Sequence, residues 1–130
     1  MIPELESTIH ELYRSICFEQ GQTPHPEKLH ELFIGNGLLI NNQGEQPVVM
    51  SVEQFIAGYR EALAGGAIQS LEEKEIHETT EVFGKVAHRF STYRLFINGA
   101  PVSKGVNTIQ LIKQDGKWLV SSMAWNDIGQ

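Results

Sequence analysis

His77 and His88 are the side chains of this sequence best suited to moving a proton near neutral pH. Both fall in segments rich in alternating β-branched and aromatic residues, Glu75 to Val82 and Val86 to Ile97. A tight turn at Phe83-Gly84 sets His77 opposite Phe90 and His88 opposite Thr79, on one strand face with Glu75 and Glu81. That face offers a base with an orienting partner, or a His/Glu metal cluster. The alternative is a polar strand face in solvent or against a second subunit. The absence of tight spacings such as HxxxH or HxH favours this alternative, and neither a metal nor a cofactor is expected.

Other reactive side chains have structural explanations. Cys17 lies on the apolar stripe of an amphipathic helix with no histidine near it in sequence, which suits a small core hydrophobe better than a nucleophile. Tyr13 and Tyr59 either donate hydrogen bonds into a pocket or reach backbone partners from the core. Trp125 is either a pocket wall or a subunit contact. Glu78 and Arg89 read as a cross-strand pair, worth about 0.2–1 kcal/mol. The run Glu72-Glu73-Lys74-Glu75 reads as a solvated strand start, and His10, His25 and His30 as surface residues.

The elements that carry these residues change character midway. Leu5, Ile9, Leu12, Tyr13, Ile16 and Cys17 recur at helical spacing, with Pro3, Glu4 and Glu6 suited to a helix start and Gly21 to its stop. A short helix opens at Pro26, with Leu29, Leu32 and Phe33 inward, and Gly35-Asn36-Gly37 ends it. Leu38-Leu39-Ile40 is a short strand, and Asn41 to Pro47 a turn-rich connection. Ser51 and Gln54 form a capping box for a helix that buries Val52, Phe55, Ile56, Tyr59 and Leu63. Four strands follow: Glu75 to Val82, Val86 to Ile97, Val102 to Lys113 and Trp118 to Asn126. The turns at Asn98-Gly99 and Asp115-Gly116 make an antiparallel meander. Helices before an antiparallel sheet is an α+β layout.

With a two-residue loop at Asp115-Gly116, Val106, Thr108, Gln110 and Ile112 share a face with Trp125, Met123, Ser121 and Leu119. A slip of one residue exchanges the faces and brings Asn107 inward. Both faces carry apolar residues, so the outer face is expected to be covered by a second copy of the chain.

The 130 residues make one domain, 1–130, of ordinary globular composition, 41% hydrophobic and 20% charged. The net charge is −6 and the ten basic residues are scattered, which disfavours nucleic-acid binding. No apolar run is long enough to span a membrane, and the acidic start MIPELESTIHEL has no signal-peptide pattern. The expectation is a cytoplasmic domain.

In the order of its elements, over its whole length, the sequence resembles the nuclear transport factor two-like superfamily, which holds the SnoaL-like proteins and ketosteroid isomerase. EIHETTEVFGKVAHRFSTYR and KGVNTIQLIKQDGKWLVSSMAW are similar to an uncharacterised SnoaL-like branch. The resemblance implies a cystatin-like roll: a cone-shaped, strongly curved, mixed but mostly antiparallel sheet packed around N-terminal helices. It also implies a pocket at the open end and a homodimer through the outer sheet face. The isomerase pattern lies without a gap on Arg89 to Trp125, anchored on Asn98-Gly99, Pro101 and Trp125. It puts the base aspartate on Asn42, the oxyanion-hole acid on Thr108, a supporting tyrosine on Tyr59 and the oxyanion-hole tyrosine near Tyr13 or Arg14. An amide has no basic lone pair near neutral pH and a threonine hydroxyl is a poor acid, so the steroid-isomerase mechanism is lost. What the resemblance leaves is a small apolar or aromatic ligand held near Tyr13, Asn42, Tyr59, Tyr93, Thr108 and Trp125. Two alternatives stand beside it: an isomerase, cyclase or dehydratase using His88 or His77, and a dimeric protein-interaction module.

Overall fold

Pro3 opens α1 (Pro3–Arg14), where its missing N–H costs nothing, with Glu4 and Glu6 at the positive end of the helix. The computed structural model describes residues 2–129. The helix stops at Arg14, earlier than the apolar spacing predicts. Phe18 instead exchanges two 3.0 Å backbone hydrogen bonds with Leu71, so the segment that carries Cys17 is drawn onto the sheet.

A single turn of 3-10 helix (Pro26–Lys28) leads into the short α2 (Leu29–Leu32). The chain then turns extended at Phe33, and Gly35-Asn36-Gly37 lies inside β1 (Phe33–Asn41) rather than ending a helix. Between Phe33 and Leu38 the register against the neighbouring strand slips. Gly37 permits the fold-over, since a Cβ there would lie 2.8 Å from the Phe33 ring. β2 (Val48–Ser51) follows, and the Ser51/Gln54 capping box is formed in full, with bonds of 3.1 and 2.9 Å, opening α3 (Val52–Ala64).

β3 (Leu71–Phe83), β4 (Val86–Ile97), β5 (Ala100–Gln114) and β6 (Lys117–Gly129) form the meander; β4 has the bounds expected, and the other three are longer than the sequence pattern shows. Asn98 and Asp115 adopt φ of 53° and 52°, the left-handed turn geometry for which Asn-Gly and Asp-Gly were selected. The first hairpin turns on Gly84-Lys85, one residue later than expected, so Phe83 pairs with Val86. The sheet runs β2-β1-β6-β5-β4-β3, antiparallel throughout except where β1 lies parallel to β6. This is an α+β structure with a curved, mixed, open sheet and the helices on its inner face.

Leu5, Ile9 and Leu12 of α1 pack on Ile109, Leu111 and Val120, all three wholly buried in the sheet. Burying each such side chain stabilises the fold by roughly 1.5–3 kcal/mol. The Thr8 hydroxyl donates to the Trp118 carbonyl at 2.8 Å and fixes the height of α1 over β6. No helix among the described residues is long and apolar enough to cross a membrane.

Candidate functional site

Two bulges decide which side chains reach the concave face. Near Ser121 the β5–β6 register slips by one residue: Leu111 pairs with Val120, but Gln110 pairs with Ser122. Trp118 and Val120 therefore face inward before the bulge, and Met123 and Trp125 after it. On β5 the inward set is Asn107, Ile109 and Leu111. Thr108, expected to face the pocket, lies on the outer face and donates to the Ala124 carbonyl at 3.1 Å. The loop is the two-residue one expected; the slip comes from an extra residue within β6. On β3 the register slips at Ile76, so Glu73 and Glu75 before it, and Glu78 and Thr80 after it, all turn toward the helices.

A cavity of about 190 Å³ opens between α1, α3 and the sheet. Its apolar wall includes Leu12, Leu29, Leu39, Phe55, Met123 and Trp125, with the Phe55 and Trp125 rings edge to face at 6.0 Å. Its polar side holds Tyr13, Glu73, Tyr93, Asn107 and Asp127. Tyr13 and Glu73 also border a broader groove between α1 and β3, lined by Glu6, His10, Arg14 and Lys74.

The polar groups form a directed chain. The Asn107 amide nitrogen donates to the Tyr13 hydroxyl at 3.1 Å and to Glu73 Oε2 at 3.0 Å. Ser91 donates to Glu75, so in the 2.5 Å Tyr13–Ser91 bond the tyrosine is the donor. Glu75 receives a bidentate grip from Arg89, at 3.0 Å from Nε and 2.7 Å from Nη2. Arg89 Nη1 also holds Glu6 at 2.8 Å, Glu78 at 3.1 Å and Thr80 at 3.2 Å. Arg89 is 2% exposed, and these carboxylates keep its guanidinium charged despite its burial. The Glu78–Arg89 contact is thus one arm of a buried hub, not an isolated surface pair.

Of the residues expected at the site, Tyr13, Tyr93 and Trp125 come together at the cavity. Asn42, Tyr59 and Thr108 do not line it. Asn42 is exposed beyond β1, tied through its backbone N–H to the Trp125 carbonyl at 3.1 Å. Tyr59 stacks on Phe55 and donates to the Ile16 carbonyl at 2.6 Å. His77 and His88 lie on the outer face, opposite Thr92 and Glu81. His88 contacts Gln110 at 3.2 Å and the Phe90 ring. The bulge at Ile76 separates them from Glu75, and among the described residues no group of three such side chains is arranged to hold a metal ion.

Glu73 and Asp127 were missed. Glu73 sat in a charge run that resembles a solvated strand start, and Asp127 fell beyond the expected end of the last strand. The one available signal was Asn107, which a slipped register brings inward with its neighbours. Burial pushes the Glu73 carboxyl up to about 7, against the Asn107 hydrogen bond, which favours its ionised form, and with the added effect of the Asp127 charge. Burial, with the Asp127 contact, likewise raises Tyr93 above the ordinary phenol range, and burial raises Tyr13.

Glu73 therefore holds a proton in the folded protein over a pH range in which the unfolded chain has lost it. Its contribution to stability is complete below the ordinary carboxylate range and disappears as pH rises through about 7. Glu73→Gln is expected to abolish that decline, gaining about 1–2 kcal/mol over the wild type between about pH 5 and pH 8 after solvent screening. Urea melts at the two pH values measure it, and parallel profiles for the two proteins contradict it.

No protein-family model matches the sequence, and no curated protein matches it either. The fold, in contrast, is shared with many solved structures. A protein of unknown function with a cystatin-like fold from Nostoc punctiforme is 13% identical with TM-score 0.73, over 95% of this chain and 88% of that one. Nuclear transport factor 2 from Cryptosporidium parvum is 12% identical with TM-score 0.69, over 95% and 91%. A nuclear transport factor 2-like protein of unknown function from Silicibacter pomeroyi is 14% identical with TM-score 0.66, over 95% and 92%. The chain has the nuclear transport factor 2-like, cystatin-like fold.

Proposed function

We propose that this chain is a SnoaL-like, small-molecule-binding form of that fold, holding a compact and largely apolar ligand in the cavity beneath α1. The observation that carries this is the cavity itself, apolar on one side and hydrogen-bonding on the other, the usual constitution of a small-molecule site. Its volume of about 190 Å³ lies below the about 300–1,000 Å³ of drug-sized pockets, which fits one ring with a short arm and not a fused steroid. Asn42 stands outside the cavity, so no base comes from that position.

Any proton transfer inside the cavity would fall to Glu73, the carboxyl poised near neutral pH beside it, and not to His77 or His88 on the opposite face. The same reading has a homodimer closed across the outer sheet face, where Val86 and Phe90 of β4 are exposed.

A thermal-shift screen of single-ring alcohols, ketones, acids and amines tests the binding. A ligand at about 100 times its Kd adds about 2.7 kcal/mol, a rise of several degrees in Tm. The shift is expected to vanish in Met123→Trp, which fills the cavity from β6, provided circular dichroism shows that variant folded. No shift with any compound, or a shift that survives in Met123→Trp, overturns the reading.

A further inference from the structure

The hydrogen-bond donors around the cavity are committed to the protein. The Tyr13 hydroxyl donates to Ser91, that of Tyr59 to the Ile16 carbonyl and that of Tyr93 to Asp127. Both hydrogens of the Asn107 amide are used, on Tyr13 and Glu73. What remains facing the space is the carboxyl group of Glu73, an acceptor once it is ionised, with the charge of Asp127. Glu73 binds Asn107 through Oε2 and leaves Oε1 free of any protein donor among the described residues, and the Asp127 carboxylate, which accepts from the Tyr93 hydroxyl and the Gln43 amide, brings its charge to the same wall. Ser103 adds a hydroxyl that serves either role. The lining contains no lysine, arginine or histidine. Four aromatic rings, Tyr13, Phe55, Tyr93 and Trp125, complete it.

A carboxylate ligand would find no free tyrosine donor here and would meet the Asp127 charge, and a carbonyl would find only the Glu73 proton and the Ser103 hydroxyl. A group that brings its own N–H donors and a positive charge pairs with ionised Glu73 and with the Asp127 charge, and aromatic faces favour it further. Resting on the binding reading above, we propose that the cavity selects a small aromatic amine in its ammonium form, with the cation at Glu73 and Asp127 and the ring against Phe55 and Trp125. A bound cation offsets the burial that keeps Glu73 protonated, so binding near neutral pH releases a proton. The titratable groups around Glu73 are Tyr13 and Cys17 from the α1 side, Tyr93 from β4, Asp127 from β6 and Glu75 on its own strand. Arg14 and Lys74 line the broader groove that Glu73 also borders, and Arg89 is occupied by Glu6, Glu75 and Glu78.

Phenethylamine, phenethyl alcohol and phenylacetate share the ring and differ in the head group, and calorimetry at about pH 8 and about pH 5 compares them. The amine is expected to bind about tenfold or more tighter than the alcohol at the higher pH, with phenylacetate weakest. That preference is expected to shrink at the lower pH and in Glu73→Gln, while affinity for the alcohol holds. Asp127→Asn, at an exposed position, gives the same loss of preference if Glu73→Gln folds poorly. Amine and alcohol binding equally, or a preference unchanged in both variants, overturns the cation assignment and leaves the cavity reading standing. No binding by the amine also overturns it, and the broader screen then decides the cavity reading separately.

Discussion

Arg89→Met is expected to destabilise the protein by about 3–5 kcal/mol, the cost of removing one partner from a buried ionic cluster. The guanidinium serves Glu6 from α1, Glu75 and Glu78 from β3 and the Thr80 hydroxyl, all from a position 2% exposed. Without it, three carboxylates face one another with no cation among them, and Glu75 is still bound to Ser91. Guanidinium melts measure the loss. A second variant, Arg89→Met with Glu75→Gln, should recover part of the loss, because one of the stranded charges is gone. A cost below about 1 kcal/mol at neutral pH would mean that the hub behaves as an exposed pair.

Gly105→Ala is expected to cost about 2–3 kcal/mol through overpacking, a large effect for one methyl group. A Cβ at this buried position would lie 2.6 Å from the Asn126 carbonyl oxygen and press into the Tyr93 hydroxyl. Backbone on one side and a ring wedged against Asp127 on the other leave no direction for relief. Tyr93→Phe in the same chain removes the hydroxyl and should restore part of the loss, a coupling of about 0.5–3 kcal/mol that chemical denaturation of the four proteins of the cycle resolves. Additive losses, or Gly105→Ala within about 0.5 kcal/mol of the wild type, would refute the close approach. The same substitution should alter the cavity, since it moves the hydroxyl that holds Asp127.

What could be read from the sequence was local. The Ser51/Gln54 cap, the Asn98-Gly99 and Asp115-Gly116 turns and the helical stripe of α1 each depend on residues a few positions apart, and each is present. The features that escaped are insertions in a pairing. The bulges at Ile76 and Ser121 each add one residue to one strand, and a period of two offers no mark of where that happens. One slip put Thr108 outside and Asn107 inside; the other brought Glu73 and Glu75 over to the helix side from a run that looked solvated. Tyr13 is inward on helix spacing, whereas Tyr93 and Trp125 are placed at the pocket by the resemblance, and it is the bulge at Ser121 that turns Trp125 to the same side as Trp118 and Val120. Asn42 and Tyr59 rested on the isomerase resemblance, and the loop after β1 and the hydroxyl bond to Ile16 take them elsewhere.

The parallel pairing of β1 with β6 also bears on how the chain is made. β1 has two sheet neighbours, the four-residue β2 and the final strand of the meander, whose pairing with β1 begins at Val120. While the ribosome is still extending the meander, the helices and this first hairpin have little apolar surface to fold against. Leu5, Ile9 and Leu39 share one buried core with Val120 and Met123 of β6, so that core is incomplete until β6 is in place. Folding of this chain is therefore expected to finish with a non-local pairing rather than grow from the amino terminus.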